Sequence, residues 1–531
     1  MSSVGAKLVE QLAHLGVREF FGVAGTEFSP VIERLAAGDL PLRCHTLPHE
    51  AVAVHMAAGS ALRSGKVNAL MLHASIGTLN AAAAIMSAHR LRAPLILIAG
   101  RTPTDPGTSL GARDLFVHSG QEVFDQAAPV REFVKWHYEL RRADDLPAVL
   151  ARAHQLAASG PQGPVYLSIP RELLLASCEA PLVEALPRPE GPQISNVKLA
   201  EIQTLLQQAQ RPLLVASELG HDRESFELLA EVAERYPLRV LTPSAQTLNL
   251  PHRHPAFVPQ SQVKLLAEAD LVMNLDCEVP WVASKVSPSP TAKLITVGLD
   301  PLLHAAPYPV PRQGMLVQTS VASFLRQLLA ATAGAARPQH RWGSTSAPLS
   351  TRPGAFGLAD VSQVLAENWN DELILYNELA LNADEVPLSK WGSYYRTGSA
   401  SCLGQILGQA LGVGLHDPRR PLCVVGDGSY YFSNPLVIHW KAQQQGLFPI
   451  VIILNNQGMS SILQNTAHLR TRELGDEVPF VSLKPGLDFA QIARSFAGIG
   501  HSVSTRDELA RALQGALAQR DRQVLIDARI S

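Results

Sequence analysis

The 531-residue chain has no long run of charge of either sign: 45 lysines and arginines stand against 47 aspartates and glutamates, a net charge of −2. It therefore lacks the electrostatic footprint of a nucleic-acid or anionic-membrane binder. No apolar stretch approaches the ~20 residues that span a bilayer. The segment from Met1 to Glu10 reads directly as an amphipathic helix, without the apolar core of a secretory signal. Cysteine is scarce. Cys44, Cys178, Cys277, Cys402 and Cys423 are scattered and form neither CxxC pairs nor a Cys/His metal spacing. They read as reduced thiols, so a soluble cytoplasmic setting is expected. No convincing internal repeat is present, and no strand is followed by a GxGxxG turn, which argues against a nucleotide-dependent oxidoreductase.

What is present is a regular alternation of short apolar strands with helical patterns, the mark of parallel sheets covered by helices. At this length three or four domains are expected. Two stretches rich in Pro, Gly and small residues, about 184–196 and 332–356, read as linkers. They divide the chain into α/β blocks at 1–183, 197–331 and 357–531. Strands are expected at Phe20–Val23, Ala69–Leu72 and Pro94–Ile98 in the first block, and at Pro212–Val215, Asp270–Leu275 and Lys293–Val297 in the second.

The third block carries the most informative motif, Gly426-Asp427-Gly428-Ser429 followed by Asn455-Asn456-Gln457-Gly458. Each half follows an apolar run, Leu422–Val425 and Pro449–Leu454, and the span from Phe432 to Gln445 is long enough for a helix that Gly446 would stop. A right-handed βαβ unit places both strand ends on one edge of the sheet. Asp427 and Asn456 should then meet. A carboxylate, an amide oxygen and the Gly458 carbonyl form an all-oxygen set suited to Mg²⁺, and Ser429 with the helix-opening amides suits phosphate. The Asp-Gly turn taken alone is common; the two halves together point to a metal-diphosphate site.

This pairing resembles the signature of thiamine diphosphate (ThDP) enzymes, and the resemblance extends over nearly the whole chain to the 2-oxo acid decarboxylase and acetolactate synthase-like group, including benzoylformate decarboxylase. It implies three doubly wound parallel-sheet α/β domains, pyrimidine-binding, central and diphosphate-binding, the first and third sharing a fold. It further implies Mg²⁺ held by Asp427, Asn456 and Gly458, and cofactor contacts from Ser401, Leu403, Gly426, Gly428, Ser429, Asn456 and Met459. Leu47-Pro48-His49-Glu50-Ala51 matches the segment carrying the group's catalytic glutamate. Its almost uncharged surroundings suggest that Glu50 is buried with a raised pKa. By the resemblance, Glu50 also binds the cofactor, at a pyrimidine nitrogen, and Leu403 is the wedge that bends it.

His73 ends a strand at the edge where α/β sheets take ligands. It resembles the proton-transferring histidine of benzoylformate decarboxylase, and Thr26 stands where that enzyme uses a serine hydroxyl near the substrate carboxylate. A histidine satisfied by the adjacent turn is the competing reading of His73, and plain core packing that of Leu403. Phe133–Trp136 and Gly160–Pro170 add resemblance without bearing on substrate.

Departures from the pattern bear on substrate. The stretch Asp276-Cys277-Glu278-Val279-Pro280-Trp281-Val282 holds no counterpart of benzoylformate decarboxylase's second histidine, and the paired histidines of pyruvate decarboxylases are missing. Trp281 is expected at a domain seam; Arg470 and Arg472 are candidates to meet an anionic substrate or to form a solvated face. The expected activity is carboligation of the acetolactate synthase type or decarboxylation of a 2-oxo acid. A benzoylformate decarboxylase-type lyase and, more remotely, a non-catalytic ThDP-fold subunit stay open. The resemblance leaves room for FAD, which no residue indicates. It implies a homodimer or homotetramer whose active sites lie between subunits, acting on a small 2-oxo acid, with no nucleic-acid or membrane partner.

Overall fold

The computed structural model describes residues 2–304, 306, 314–331, 356–378, 381–398, 400–469 and 478–530. The first sheet holds β1 (Glu19–Gly22), β2 (Arg43–Thr46), β3 (Asn68–Leu72), β4 (Leu95–Arg101), β5 (His137–Glu139) and β6 (Val165–Pro170). The second holds β7 (Pro212–Ala216), β8 (Arg239–Leu241), β9 (Phe257–Val258), β10 (Leu271–Leu275), β11 (Lys293–Gly298) and β12 (Met315–Gln318). The third holds β13 (Leu373–Asn377), β14 (Tyr394–Arg396), β15 (Arg420–Gly426), β16 (Ile450–Asn455), β17 (Ile499–Val503) and β18 (Val524–Arg529). All six strands in each sheet pair in parallel, in the orders β2-β1-β3-β4-β6-β5, β12-β11-β10-β7-β8-β9 and β14-β13-β15-β16-β18-β17. Counted from its own first strand, the third sheet repeats the order of the first. The two blocks share a topology that no sequence repeat betrays.

The central strands are rich in Val, Ile and Leu because both of their faces are covered: every residue of β16 is buried, as is every residue of β10, whereas edge strand β2, Arg-Cys-His-Thr, is mostly exposed. Every expected strand is found, its ends shifted by up to three residues. The expected helix between β15 and β16 is two helices. One, Asp427–Phe432, starts directly at the motif, and Asn434 in the left-handed conformation then breaks the chain before Pro435–Gln444. Proline cannot donate the hydrogen bond that would continue the first helix. Gly446, at φ +64°, ends the second as expected. The 184–196 stretch has no regular structure before the helix at Asn196, whereas the 332–356 linker lies outside the described residues except for Phe356.

A close helix–helix contact is among those that join the first and third sheets' layers. Helix Glu50–Ser64 packs along helix Gln405–Gly414 so closely that a Cβ on Gly59 would collide with the Gln409 carbonyl, and one on Gly412 with the Met56 carbonyl. Glycine is required there for backbone approach. Among the described residues no helix is long and apolar enough to cross a membrane.

Candidate functional site

β15 and β16 are adjacent, with Gly426 opposite Leu454, so the turns that follow them lie side by side at the carboxyl edge of the third sheet. Asp427 is 3% exposed, and its Oδ1 accepts the Gly428 amide at 2.7 Å. The Gly458 amide sits 3.1 Å from Asp427 Oδ2 and 3.1 Å from Asn456 Oδ1. Both oxygens thus converge on one backbone group. Gln457, at φ +55°, turns the chain so that this happens, and Asn456 Nδ2 is held by Ser460 Oγ at 2.7 Å. Burial pushes the Asp427 carboxyl up, and no basic side chain pairs with it among the described residues. A buried carboxylate beside an amide oxygen, with no cation of the protein's own, is a hard oxygen donor set that fits a divalent ion. Asn455 is engaged elsewhere, donating to the buried Asp527 at 2.8 Å. A Cβ on Gly428 would come within 2.7 Å of Met459 Sδ, so glycine lets these two turns close on each other.

Glu378, one residue past β13, escaped the sequence reading. Its carboxylate is 1% exposed and accepts the amides of Gly404 at 2.6 Å and Ile406 at 3.2 Å, with the Ser429 hydroxyl as a further partner. Burial raises its pKa. Ser429, expected to face phosphate, is therefore tied to Glu378, and the Ser401–Gly404 turn is fixed to the third sheet. The turn is also tied to the first domain: Ser87 Oγ accepts the Cys402 amide at 3.0 Å, and His55 Nε2 lies 3.2 Å from Cys402 Sγ. His55 is neutral, burial pushing it down to about 3. Leu403 is only half-buried, which sets it apart from plain core.

Glu50 opens its helix, as the Pro48 signal suggested, though Pro48 itself precedes the cap residue His49. The expectation that Glu50 is buried is not met within one chain. It is half-buried, with Asn80 Nδ2 donating to Oε2 at 2.5 Å, because the face it shares with the exposed Ile76, Leu79 and Asn80 lacks a covering layer. Among the described residues no hydrogen bond joins Glu50 to Asp427, Asn456 or Gly458.

His73 follows β3, and its ring bonds to Glu27 and Gln121 and not to the adjacent turn. Its Nδ1 lies 3.0 Å from Glu27 Oε2, and Gln121 Nε2 lies 3.2 Å from its Nε2. Glu27 is 5% exposed and also accepts the Ala74 amide at 3.1 Å. The hydrogen bond that His73 donates to Glu27 raises the His73 pKa. A Cβ on Gly25 would strike both His73 and Glu27, and one on Gly100 would strike Glu27, so glycines make room for the pair. Thr26 is exposed and borders the same cavity of about 320 Å³ as Glu27, His73, Gln121, His118 and Arg171. Thr26 and His73 are thus brought together. Glu27 was missed although it adjoins Thr26; a lone acid directly after a Gly-Thr turn at a strand end was the available signal. Gln121 lies in a loop with no sequence signal.

Trp281, expected at a domain seam, packs half-buried against a cluster of the central domain that includes Leu213, Val215, Leu241 and Leu266. Arg470 and Arg472 lie outside the described residues.

Models of the N-terminal TPP-binding, central and C-terminal TPP-binding domains of thiamine pyrophosphate enzymes match residues 2–128, 199–328 and 381–528. Benzoylformate decarboxylase of Pseudomonas aeruginosa is 28% identical, over 99% of this chain and 98% of its own. The acetolactate synthase large subunit of Haemophilus influenzae is 24% identical, over 99% and 94%. The solved structure of the thiamine diphosphate-dependent 4-hydroxybenzoylformate decarboxylase of Rhodococcus jostii superposes with a TM-score of 0.81 at 26% identity, covering 99% of each chain. With all three domains matched in order over nearly its full length, the chain belongs to the thiamine diphosphate enzyme family, in the group of 2-oxo acid decarboxylases and acetolactate synthases.

Proposed function

We propose that the chain is a ThDP- and Mg²⁺-dependent lyase or carboligase that breaks or forms the C–C bond next to the carbonyl of a small 2-oxo acid. The observation that carries this reading is the convergence of Asp427 and Asn456 on the Gly458 amide, around a buried carboxylate without a cation. Blocks 1–183, 197–331 and 357–531 serve as the pyrimidine-binding, central and diphosphate-binding domains. Asp427, Asn456 and the Gly458 carbonyl hold Mg²⁺; Gly426, Gly428, Ser429 and Met459 border the diphosphate, and Ser401 and Leu403 the ring system. Bound ThDP supplies the carbon nucleophile and the electron sink.

The protein's own groups hold and move protons. Asn80 Nδ2 donates to Glu50 Oε2, so Oε1 is the oxygen at which Glu50 would hold or release a proton beside a bound pyrimidine. Glu27 fixes the proton on His73 Nδ1, so Nε2 is the atom that gives or takes a proton at the substrate. The Thr26 hydroxyl binds the substrate carboxylate.

We further place the active site between subunits. Ile76 and Leu79 beside Asn80, and Phe432 at the end of the Asp427 helix with Leu436 beyond it, are 52%, 54%, 62% and 62% exposed. Apolar surface flanking both halves of a site suits burial against a second copy. A homodimer is the minimum. The five free cysteines, three of them buried, suit a reducing compartment such as the cytoplasm.

Product analysis with pyruvate and with benzoylformate tests the activity. Acetolactate or acetoin supports carboligation; free aldehyde alone from benzoylformate supports the decarboxylase reading; no ThDP-dependent product from a panel of 2-oxo acids would overturn both. The absence of a histidine across Asp276–Val282 removes one proton donor and favours the carboligase.

A further inference from the structure

We propose that the ligand crevice of the central domain is filled by the chain's own first domain, with Arg92 seated where a dinucleotide would lie, so that this domain acts as a clamp and takes no flavin or nucleotide. In an open parallel sheet ligands lie outside the carboxyl ends of the strands, where the strand order reverses. In the central sheet that point is between β7 and β10. The turn after β7 is Ser217-Glu218-Leu219-Gly220, and the turn after β10 is Asp276-Cys277-Glu278.

Both turns are taken. Arg92 follows the helix Ala74–Arg90 of the first domain with φ +54°, which aims it across the seam. Its Nη1 lies 2.5 Å from Asp276 Oδ2 and its Nε 3.5 Å from Glu218 Oε2. Arg90 reaches the same edge, with Nη1 2.9 Å from Glu278 Oε1. Gln246, from the segment after β8, donates to Glu218 Oε1 at 2.9 Å. The space left among Arg92, Asp276, Glu278, Gly298 and Asp300 is about 10 Å³, no more than about one water molecule.

The chemistry is also wrong for a nucleotide. A diphosphate needs glycine-lined amides or cations, and here it would meet Glu218, Asp276, Glu278 and Asp300. The two arginines that would attract it are already paired. Around them the cluster is closed by His89, whose pKa burial and Arg90 lower, and by half-buried His221, pushed down to about 4 by burial and then by Arg92. With three acids facing two arginines, burial pushes Glu218 up to about 7, as expected of a carboxylate whose partner is shared.

The full-length holoprotein tests the clamp directly. It should purify without visible flavin absorbance, and millimolar ADP or FAD should leave its Tm unchanged. Arg92→Met should lower the Tm and speed limited proteolysis at 184–196, and adding Glu218→Gln should recover part of the loss, since no buried carboxylate is then left unpaired at that position. A flavin or nucleotide released on denaturation, or an ADP-induced Tm rise of more than about 2 °C in the wild type, would overturn the proposal. So would an Arg92→Met protein with unchanged Tm and proteolysis. If Arg92→Met does not fold, Arg92→Lys replaces it: a partial loss of Tm supports the clamp, and no loss sinks it. ThDP-dependent turnover is not the readout, so failure here leaves the proposed activity standing.

Discussion

His73 Nδ1 sits 3.0 Å from Oε2 of Glu27, a carboxylate that is 5% exposed. The pair fixes which histidine nitrogen faces the cavity, and it favours the protonated histidine. Because the Glu27 hydrogen bond raises the His73 pKa, the imidazolium persists to higher pH than in free histidine, and removing the carboxylate lowers that limit. Glu27→Gln should therefore move the His73-dependent limb of the kcat–pH profile to lower pH, while His73→Ala should remove that limb and cost about 10²-fold or more in kcat. Superimposable pH profiles for wild type and Glu27→Gln would show that the pair has no part in proton transfer.

Glu50 depends on Asn80 for its orientation, the two lying 2.5 Å apart on a face left open in the single chain. Glu50→Gln should lower ThDP-dependent turnover by at least about 10²-fold and slow proton exchange at the cofactor's C2, followed by NMR, while ThDP still binds. Asn80→Ala keeps the carboxylate and should show a smaller loss in the same two measurements. Unchanged C2 exchange in Glu50→Gln would favour a non-catalytic subunit.

Asp427 is the single acid in its donor set, so it supplies all of the set's formal charge. Asp427→Asn keeps the shape and removes that charge. The concentration of Mg²⁺ needed for half-maximal ThDP binding should rise at least about tenfold, and chelation of divalent ions should release ThDP from the wild type. Cofactor retention after exhaustive chelation would show that metal is not what anchors it.

Much of the scaffold was readable because its determinants are local. Runs such as Leu95–Ile98 and Ile450–Leu454 have the length and branching of strands buried on both faces, and the two halves of the Asp427/Asn456 motif each follow such a run. What escaped depends on partners far apart in sequence. Glu378 is recognisable only once Gly404 and Ile406 point their amides at it. Arg92 looks like a helix-end cation until Asp276 and Glu218 are seen across the seam. Glu50 is half-buried in the single chain because its apolar neighbours along the sequence do not cover it in space.

The glycines between helices Glu50–Ser64 and Gln405–Gly414 are a stability feature tied to the site, since the first helix begins at Glu50 and the second follows Leu403. Gly412→Ala would press a methyl into the Met56 carbonyl, and backbone on both sides leaves little to yield. Overpacking of this kind costs about 1–3 kcal/mol, to be read as a lower urea midpoint by circular dichroism. Gly515→Ala, whose Cβ would meet nothing within 4 Å, is the control and should be neutral or slightly stabilising.

Glu218 links the seam between the first two domains to pH. Its ordinary value of 4.5 is pushed up to about 7, chiefly by burial and against the pull of Arg92. The native state therefore binds this proton more tightly than the unfolded chain does. Stability attributable to the group is highest at acid pH, falls as pH rises from about 4.5 to about 7, and then levels off, a loss of up to about 3 kcal/mol. Glu218→Gln keeps the acceptor for Gln246 and removes the titration. Urea unfolding at about pH 5 and about pH 8 should show the variant losing less stability than the wild type across that interval. Two parallel stability curves would mean that Glu218 holds no proton of its own near neutrality and that Arg92 fully compensates its charge.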